Sequence, residues 1–526
     1  MFNQRSSLGV KASIIPLPLI IICAVLLSGL GASFSGLVQA EPSPQAGAFE
    51  SRGLIFPDAI LDIDEPDALP NAWQALNNDG LSGNVNAMVV YGDDLFVGGN
   101  FVSTGDGSIT DLKYIARYDL NDGTWNTLPK GGLNGIVRSL ALYGDDLYVG
   151  GLFTKTGDTL QDLSHIARYD ITDKTWNELE NGGLNGDVYA MTVSGDDLYM
   201  GGYFSETGDG SVYPMGKIVR YDITDGTWDK LANDGLNNAV LSLAVSGNDL
   251  YVSGNFSQTD DGIVTGLNRI ARYDISGNTW IAMPNQGLNS AAMVLVLFGD
   301  DLYMVGAFTR TFEPDTDLYQ IARYDTTNKN WHALPNNGLD GTFASGLILS
   351  GGDLYVGGDF SQTKDGTVPD LNKIARYNIA GKTWHALPND GLDNWVYTFA
   401  LSGDDLFVGG EFQATHDGAL TELGHIARLT LKSGPKQLLS VTLEGSGSGK
   451  VTSVPAGINC GSDCSQNFNS GTVVTLKAVA DPGSIFKGWS GDCSGKGDCQ
   501  VTMDADKIVK AKFDTGLFIH LPAIFR

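Results

Sequence analysis

The chain has 526 residues, 42% of them hydrophobic, enough for two or three domains with buried cores and too apolar for an intrinsically disordered protein. Its 61 acidic and 33 basic residues give a formal charge of −28, which repels phosphate backbones and anionic headgroups and sets aside nucleic-acid and membrane-surface binding. The 68 glycines point to a chain built on many tight turns.

At the N-terminus, Arg5 and Lys11 precede an apolar stretch from about Ile14 to Leu30, and Val38-Gln39-Ala40 offers a cleavage point before Glu41. This pattern predicts a cleaved export signal over residues 1–40, leaving a mature chain without a membrane span, with an uncleaved membrane anchor as the alternative reading of the same apolar run. Cys23 follows the bulky Ile22 inside the apolar run and reads as part of the signal rather than as a lipidated residue. Residues 41–70 read as a linker.

Over residues 71–431 three marks recur every 51 to 53 residues. Tryptophans stand at Trp73, Trp125, Trp176, Trp228, Trp280, Trp331 and Trp384. An Ile-Ala-Arg mark, once Ile-Val-Arg, ends at Arg117, Arg168, Arg220, Arg272, Arg323, Arg376 and Arg428. A Leu-Tyr-Val-Gly-Gly-x-Phe type strand ends at Phe101, Phe153, Phe204, Phe256, Phe308, Phe360 and Phe412. Within one period the pattern resolves into four short strands, at residues 85–90, 94–99, 114–119 and 124–128, the first two joined by the tight turn Gly92-Asp93-Asp94. Such a meander, apolar on both faces in strands like Leu95-Phe96-Val97, predicts sheets sandwiched between neighbours. The expected fold is therefore all-β, a seven-bladed β-propeller. The seventh Ile-Ala-Arg runs into Leu429-Thr430-Leu431 with no following tryptophan, whereas Trp73 is spare, so the N-terminal strand is expected to complete blade seven and close the ring.

The double glycine, Tyr118-Asp119, and Trp125 seven residues after the tyrosine resemble the kelch-type propeller repeat. The added Ile-Ala-Arg and Gly-Leu-Asn-Gly elements (residues 132–135 and 183–186) resemble the repeats of fungal cortical polarity markers and related secreted bacterial proteins. Ser253-Gly254 and Val305-Gly306 depart from the double glycine. The resemblance implies a fold and not an activity, since propellers host many.

After a linker at residues 432–436 the period changes, and a small second β domain is expected over residues 437–514, followed by a tail at 515–526. Its Gly488-Trp489-Ser490-Gly491-Asp492-Cys493 and Val501-Thr502-Met503-Asp504 segments, with Cys460-Gly461-Ser462-Asp463-Cys464 before them, resemble the divergent internalin-type B repeat of bacterial surface proteins, which implies a stalk or attachment role. The four cysteines of the mature chain, Cys460, Cys464, Cys493 and Cys499, read as two disulfides of an exported domain rather than a zinc site, with three pairings open.

A ring of seven arginines could hold an anion, but a charge repeated in every unit is expected to tie a strand to nearby turn oxygens. The repeated tyrosines and tryptophans are expected between blades as core. Acidic turns at Asp106, Asp209, Asp261, Asp365 and Asp417 raise weak calcium candidates, although none forms a full loop of alternating oxygen ligands. Kelch-type copper-radical oxidases need a cysteine and histidine ligands. The propeller has no cysteine, and its histidines, His165, His332, His385, His416 and His425, are scattered, so neither a copper site nor any other cofactor is expected. Antiparallel order puts the second-to-third and fourth-to-first loops at one end of the ring. The longest and most variable of them, residues 104–113, 207–217, 311–320 and 363–373, make that end the expected binding surface. The function expected is a secreted or cell-surface, non-catalytic adhesion scaffold, monomeric, holding an extracellular glycan or protein. The alternative is a polysaccharide hydrolase or lyase with carboxylates converging from separate blades.

Overall fold

The computed structural model describes residues 73–431 and 436–515, apart from 455–456, 462–463, 470–471 and 482. The export signal, Cys23, the linker at 41–70 and the tail beyond 515 lie outside the described residues. Among those described, residues 73–431 form seven four-stranded antiparallel sheets. The first comprises Val85–Tyr91, Asp94–Gly99, Ile115–Asp119 and Trp125–Thr127. Five more follow over residues 137–178, 187–230, 240–282, 292–333 and 343–386. The seventh takes its first three strands from Val396–Ser402, Asp405–Gly410 and Ile426–Thr430 and its fourth from Trp73–Ala75, with Trp73 opposite Leu429. The third strand begins at Ile115 rather than Tyr114 because Tyr114 has a φ of 69°, which no strand accommodates.

Consecutive sheets meet through their first strands, the seventh against the first included. The double glycine allows this contact. A Cβ on Gly150, Gly357 or Gly409 would lie 2.5 to 2.6 Å from a methyl of Val188, Val396 or Val85 in the next sheet, and Gly98 and Gly201 face Val137 and Val240 in the same way. The two exceptions are offset across the junction. Where Ser253 replaces the glycine, the facing residue is Ala292, whose carbonyl accepts the serine hydroxyl at 3.0 Å. Where Val305 replaces it, the residue at the facing position, packed in the same core, is Ala344. A larger side chain on one sheet is matched by a smaller one on the next.

The tryptophans supply a second tie. Each of six stacks on the tyrosine opposite it in its own sheet, ring centroids 4.7 to 5.0 Å apart, as Trp125 does on Tyr118. Each indole N–H also donates to a carbonyl in the short 3-10 hook that leaves the preceding sheet, at 2.8 to 3.1 Å. Trp125 of the first sheet reaches Asn77, just after the strand that completes the seventh, and Trp73 reaches Pro388 of the hook leaving the sixth. Each of these seven tryptophans is at least nine-tenths buried, so an unmade indole bond would leave a desolvated donor.

Residues 436–515 form two further four-stranded sheets around a core that includes Leu439, Val474, Trp489 and Phe513. Lys436, assigned to the linker from sequence, opens the first strand opposite Asn469, and Thr515 closes the last opposite Ser484. These two strands, Lys436–Glu444 and Lys507–Thr515, run parallel. The cysteines pair as neighbours, Cys460 with Cys464 and Cys493 with Cys499.

The size match across sheets five and six is testable. Ala344→Val in the wild-type background overpacks against Val305 and should lower unfolding free energy by about 1–3 kcal/mol, most of which Val305→Gly in the same chain should restore. Urea unfolding of the two single variants and the double reads the coupling directly.

Candidate functional site

The seven arginines point away from the loop end. Each pairs, at 2.5 to 3.3 Å, with the aspartate that opens the second strand of its own sheet: Arg117 with Asp94, Arg168 with Asp146, and so on to Arg428 with Asp405. That aspartate adjoins the short turn, as Asp94 follows Gly92-Asp93, so the guanidinium is held inside the sheet. Burial raises Asp353, Asp146 and Asp197 despite the arginine beside each.

The Asp–Gly loops between second and third strands are built around a buried threonine. Thr104, Thr207, Thr259, Thr363 and Thr415 each donate their hydroxyl to the aspartate two residues on, at 2.7 to 2.9 Å. The same aspartates, Asp106, Asp209, Asp261, Asp365 and Asp417, accept a side-chain bond from an asparagine of the preceding hook: Asn78, Asn181, Asn233, Asn336 and Asn389, at 2.9 to 3.2 Å. Those asparagines have φ between 57° and 61°, a left-handed conformation that asparagine tolerates better than most residues. Sheet two places Lys130 there, bonded to Gln161, and sheet five replaces the aspartate with the Pro314 carbonyl, which accepts from Thr311 at 2.6 Å. Donors from hydroxyl, amide and backbone thus converge on each carboxylate, an arrangement that satisfies an anion from within the protein. Hydrogen bonds from Ser108 and Thr104 hold Asp106 well below the usual carboxylate range. Ser211 and Thr367 do the same for Asp209 and Asp365, the latter to about 2.

Two repeat positions at the loop end behave differently. Every first strand carries a β-bulge at its second or third residue, leaving one residue without a cross-strand partner: Asn86, Arg138, Tyr189, Leu241, Met293, Ser345 and Tyr397. A bulge re-aims a side chain, and these sit where the first strands of neighbouring sheets meet. Arg138 lies over the ring of Tyr189 in the next sheet, 5.3 Å from its centroid, and the amide of Asn86 donates to the Val137 carbonyl. The second position is the residue before each Ile-Ala-Arg: Tyr114, His165, Lys217, Arg269, Gln320, Lys373 and His425, all left-handed with φ of 64° to 70°. Its backbone N–H bonds to the repeated phenylalanine, as His165 to Phe153 at 2.8 Å, which holds a conformation costing roughly 1–2 kcal/mol.

The resulting rim has two electrostatic arcs. On sheets two to four stand Arg138, His165, Lys217 and Arg269. His165 lies 3.4 Å from Asp187, Lys217 lies over Tyr203, and Arg269 bonds the Asn255 carbonyl. Burial lowers Lys217, with Asp260 working against it. Burial and Asp187 push Tyr189 up to about 12. On sheets six, seven and one stand Asp359, Glu411, Tyr397, His425 and Asn84. Asn84 donates to Glu411 at 2.7 Å. Burial and Glu411 carry Tyr397 far above the ordinary tyrosine range, and burial lowers His425. Beyond the rim, the loop tips of sheets two to four expose Leu160, Tyr213 and Ile263 at 85%, 64% and 74%.

Residues 115–292 match the family model described as the Rax2 C-terminal beta propeller domain, and residues 439–516 match the divergent InlB B-repeat domain. The polarized growth protein rax2 of Schizosaccharomyces pombe is 28% identical over 31% of this chain and 14% of that protein. The kelch-like protein terF of Aspergillus terreus is 24% identical over 55% and 64%, and rat kelch-like protein 38 is 26% identical over 36% and 31%. The repeats are similar to Rax2 and kelch repeats, and the C-terminal module to an InlB B repeat. The chain thus spans less than two thirds of each of these Rax2-like and kelch-like relatives. Among solved structures, the computationally designed Ika8 protein aligns over 68% of this chain and 98% of that chain, with 12% identity and a TM-score of 0.40.

Neither repeat position at the rim was singled out from the sequence. The bulge residue has no constant neighbour to mark it, and the left-handed residue looks like an ordinary loop end. Its one signal was that a fixed distance before Ile-Ala-Arg the residue type never settles.

The loop carboxylates set an acid dependence. Their folded pKa values are depressed, so their contribution is present above the unfolded value of about 4 and is lost as pH falls through the folded one, about 2 for Asp365. Asp146, Asp197 and Asp353 act in the opposite sense, and only above that window. The thermal midpoint should therefore fall between about pH 4 and pH 2, and less steeply in Asp365→Asn; equal slopes would contradict this.

Proposed function

We propose that the seven sheets are the blades of a closed propeller and that the chain is an extracellular, non-catalytic scaffold binding a glycan or protein at the loop-end mouth. Closure is supported by the seventh sheet, completed by Trp73–Ala75, by its contact with the first sheet, and by the indole bonds from Trp125 to Asn77 and from Trp73 to Pro388. An extracellular setting is supported by two disulfides and the InlB-type match. In this reading the arginines and tryptophans are structural, the Asp–Gly loops are turns rather than calcium sites, and the scaffold works as a monomer without a cofactor.

One observation carries the binding assignment. The positions that carry the indole bonds, the arginine–aspartate pairs and the phenylalanine contacts keep one residue in all seven sheets, whereas the bulge position holds asparagine, arginine, leucine, methionine, serine and twice tyrosine. A constant backbone that presents varied side chains at a shared rim is the arrangement of a recognition surface.

The test is a screen of the secreted protein against a glycan array and a panel of extracellular proteins. It is run beside a rim variant (Arg138→Ala, Lys217→Ala and Trp395→Ala, the last being the half-buried residue just before Val396–Ser402) and a control at the opposite end (Asp93→Asn, Asp145→Asn, Asp196→Asn). The rim variant should lose at least about tenfold in affinity and the control almost none. Binding that survives the rim substitutions, or new reducing ends released from a polysaccharide, contradicts the reading.

A further inference from the structure

Of the nine tryptophans, seven form the repeated set and Trp489 lies in the C-terminal core. Trp395 belongs to neither. It precedes the facing residue of the seventh sheet, Val396, at a position that holds Asn84, Ile136, Asp187, Ala239, Ala291 and Phe343 in the other sheets. The fold therefore accepts a small or polar residue there, and an aromatic ring stands there only in sheets six and seven. Phe343 and Trp395 are both half-buried, and their rings meet edge to face, centroids 5.2 Å apart and planes at 74°.

We propose that this aromatic pair, with Asp359 and Glu411 beside it, forms a subsite for a neutral hexose unit of an oligosaccharide. The proposal rests on the binding reading above and names its ligand class. A pyranose has an apolar C–H face, which stacks on an aromatic ring, and an edge of hydroxyls, which donate to carboxylates. Both partners are present. Asp359 is pushed up by burial, but Lys373 at 2.8 Å, Thr342 at 2.6 Å and the Trp395 indole outweigh that, and these three donors leave one of the roughly four acceptor sites of a carboxylate for a sugar hydroxyl. Glu411 is oriented by the Asn84 amide and the Tyr397 hydroxyl. An anionic sugar fits poorly. The ammonium beside the pair, Lys373, is already bound to Asp359, and the two carboxylates and the −28 charge of the chain oppose a further anion. The cationic arc lies on sheets two to four, away from Trp395.

The experiment titrates the full secreted chain with neutral hexaoses of β-1,3-glucose, β-1,4-glucose, β-1,4-N-acetylglucosamine and α-1,6-mannose, and with hexagalacturonate, by calorimetry and tryptophan fluorescence. At least one neutral hexaose should bind with a fluorescence change. Trp395→Ala should weaken it at least about tenfold and Glu411→Gln at least about threefold. Trp395→Phe should keep affinity within about threefold while losing most of the fluorescence change. That conservative variant decides the matter even if Trp395→Ala melts early. Absence of binding by every neutral hexaose, tighter binding of hexagalacturonate, or an unchanged fluorescence response in Trp395→Phe overturns the subsite. If the Arg138, Lys217 and Trp395 triple variant loses its ligand while Trp395→Ala keeps it, the rim reading stands and this subsite does not.

Discussion

At five of the seven junctions neighbouring sheets touch backbone to side chain, because a glycine on one faces a valine on the next. Stacked sheets ordinarily sit about 10 Å apart, filled by side chains from both. Removing the side chain from one partner lets Val137, Val188 or Val396 lie directly on the second strand of the sheet before it. That approach brings each hook within reach of the next sheet's tryptophan and five hook asparagines within reach of the next loop's aspartate. The rim exists for the same reason, since only closely packed first strands put consecutive bulge residues side by side.

The repeated contacts and the variable positions are thus separated along every strand. The arginine–aspartate pairs lie toward the short turns and carry the repeat's electrostatics within each sheet. The threonine-centred loops use aspartates as internal hydrogen-bond acceptors, which leaves them poor candidates for a free ligand. What varies from sheet to sheet is the side chain at the bulged and left-handed positions, carried on a backbone that the repeat fixes. The two arcs of the rim differ in charge, so one scaffold offers chemically distinct halves.

Much of this was legible in the sequence, because structural duties repeat. Seven tryptophans, seven arginines and the double glycine announce the sheets, and the spare Trp73 foretells its pairing with Leu429. The resemblance to kelch and cortical-polarity repeats and to the internalin-type B repeat agrees with the family matches. Less visible were relations between units. Ser253 and Val305 look like lapses until Ala292 and Ala344 are seen at the facing positions. Cysteine pairing was open among three patterns because spacing alone does not fix which sulfurs approach. The rim was hidden because variable positions leave no periodic mark.

The contact between Val85 and Gly409, where the last sheet meets the first, tests the ring most directly. Gly409→Val alone should cost about 1–3 kcal/mol, and combining it with Val85→Ala should give at least about 1 kcal/mol of favourable coupling, because the alanine makes the room that Ala344 makes for Val305. Gly409→Val with Val137→Ala, which belong to different junctions, should be additive. Coupling in the first pair and additivity in the second is the result a closed ring gives. Additivity in both would mean that the first and seventh sheets do not touch.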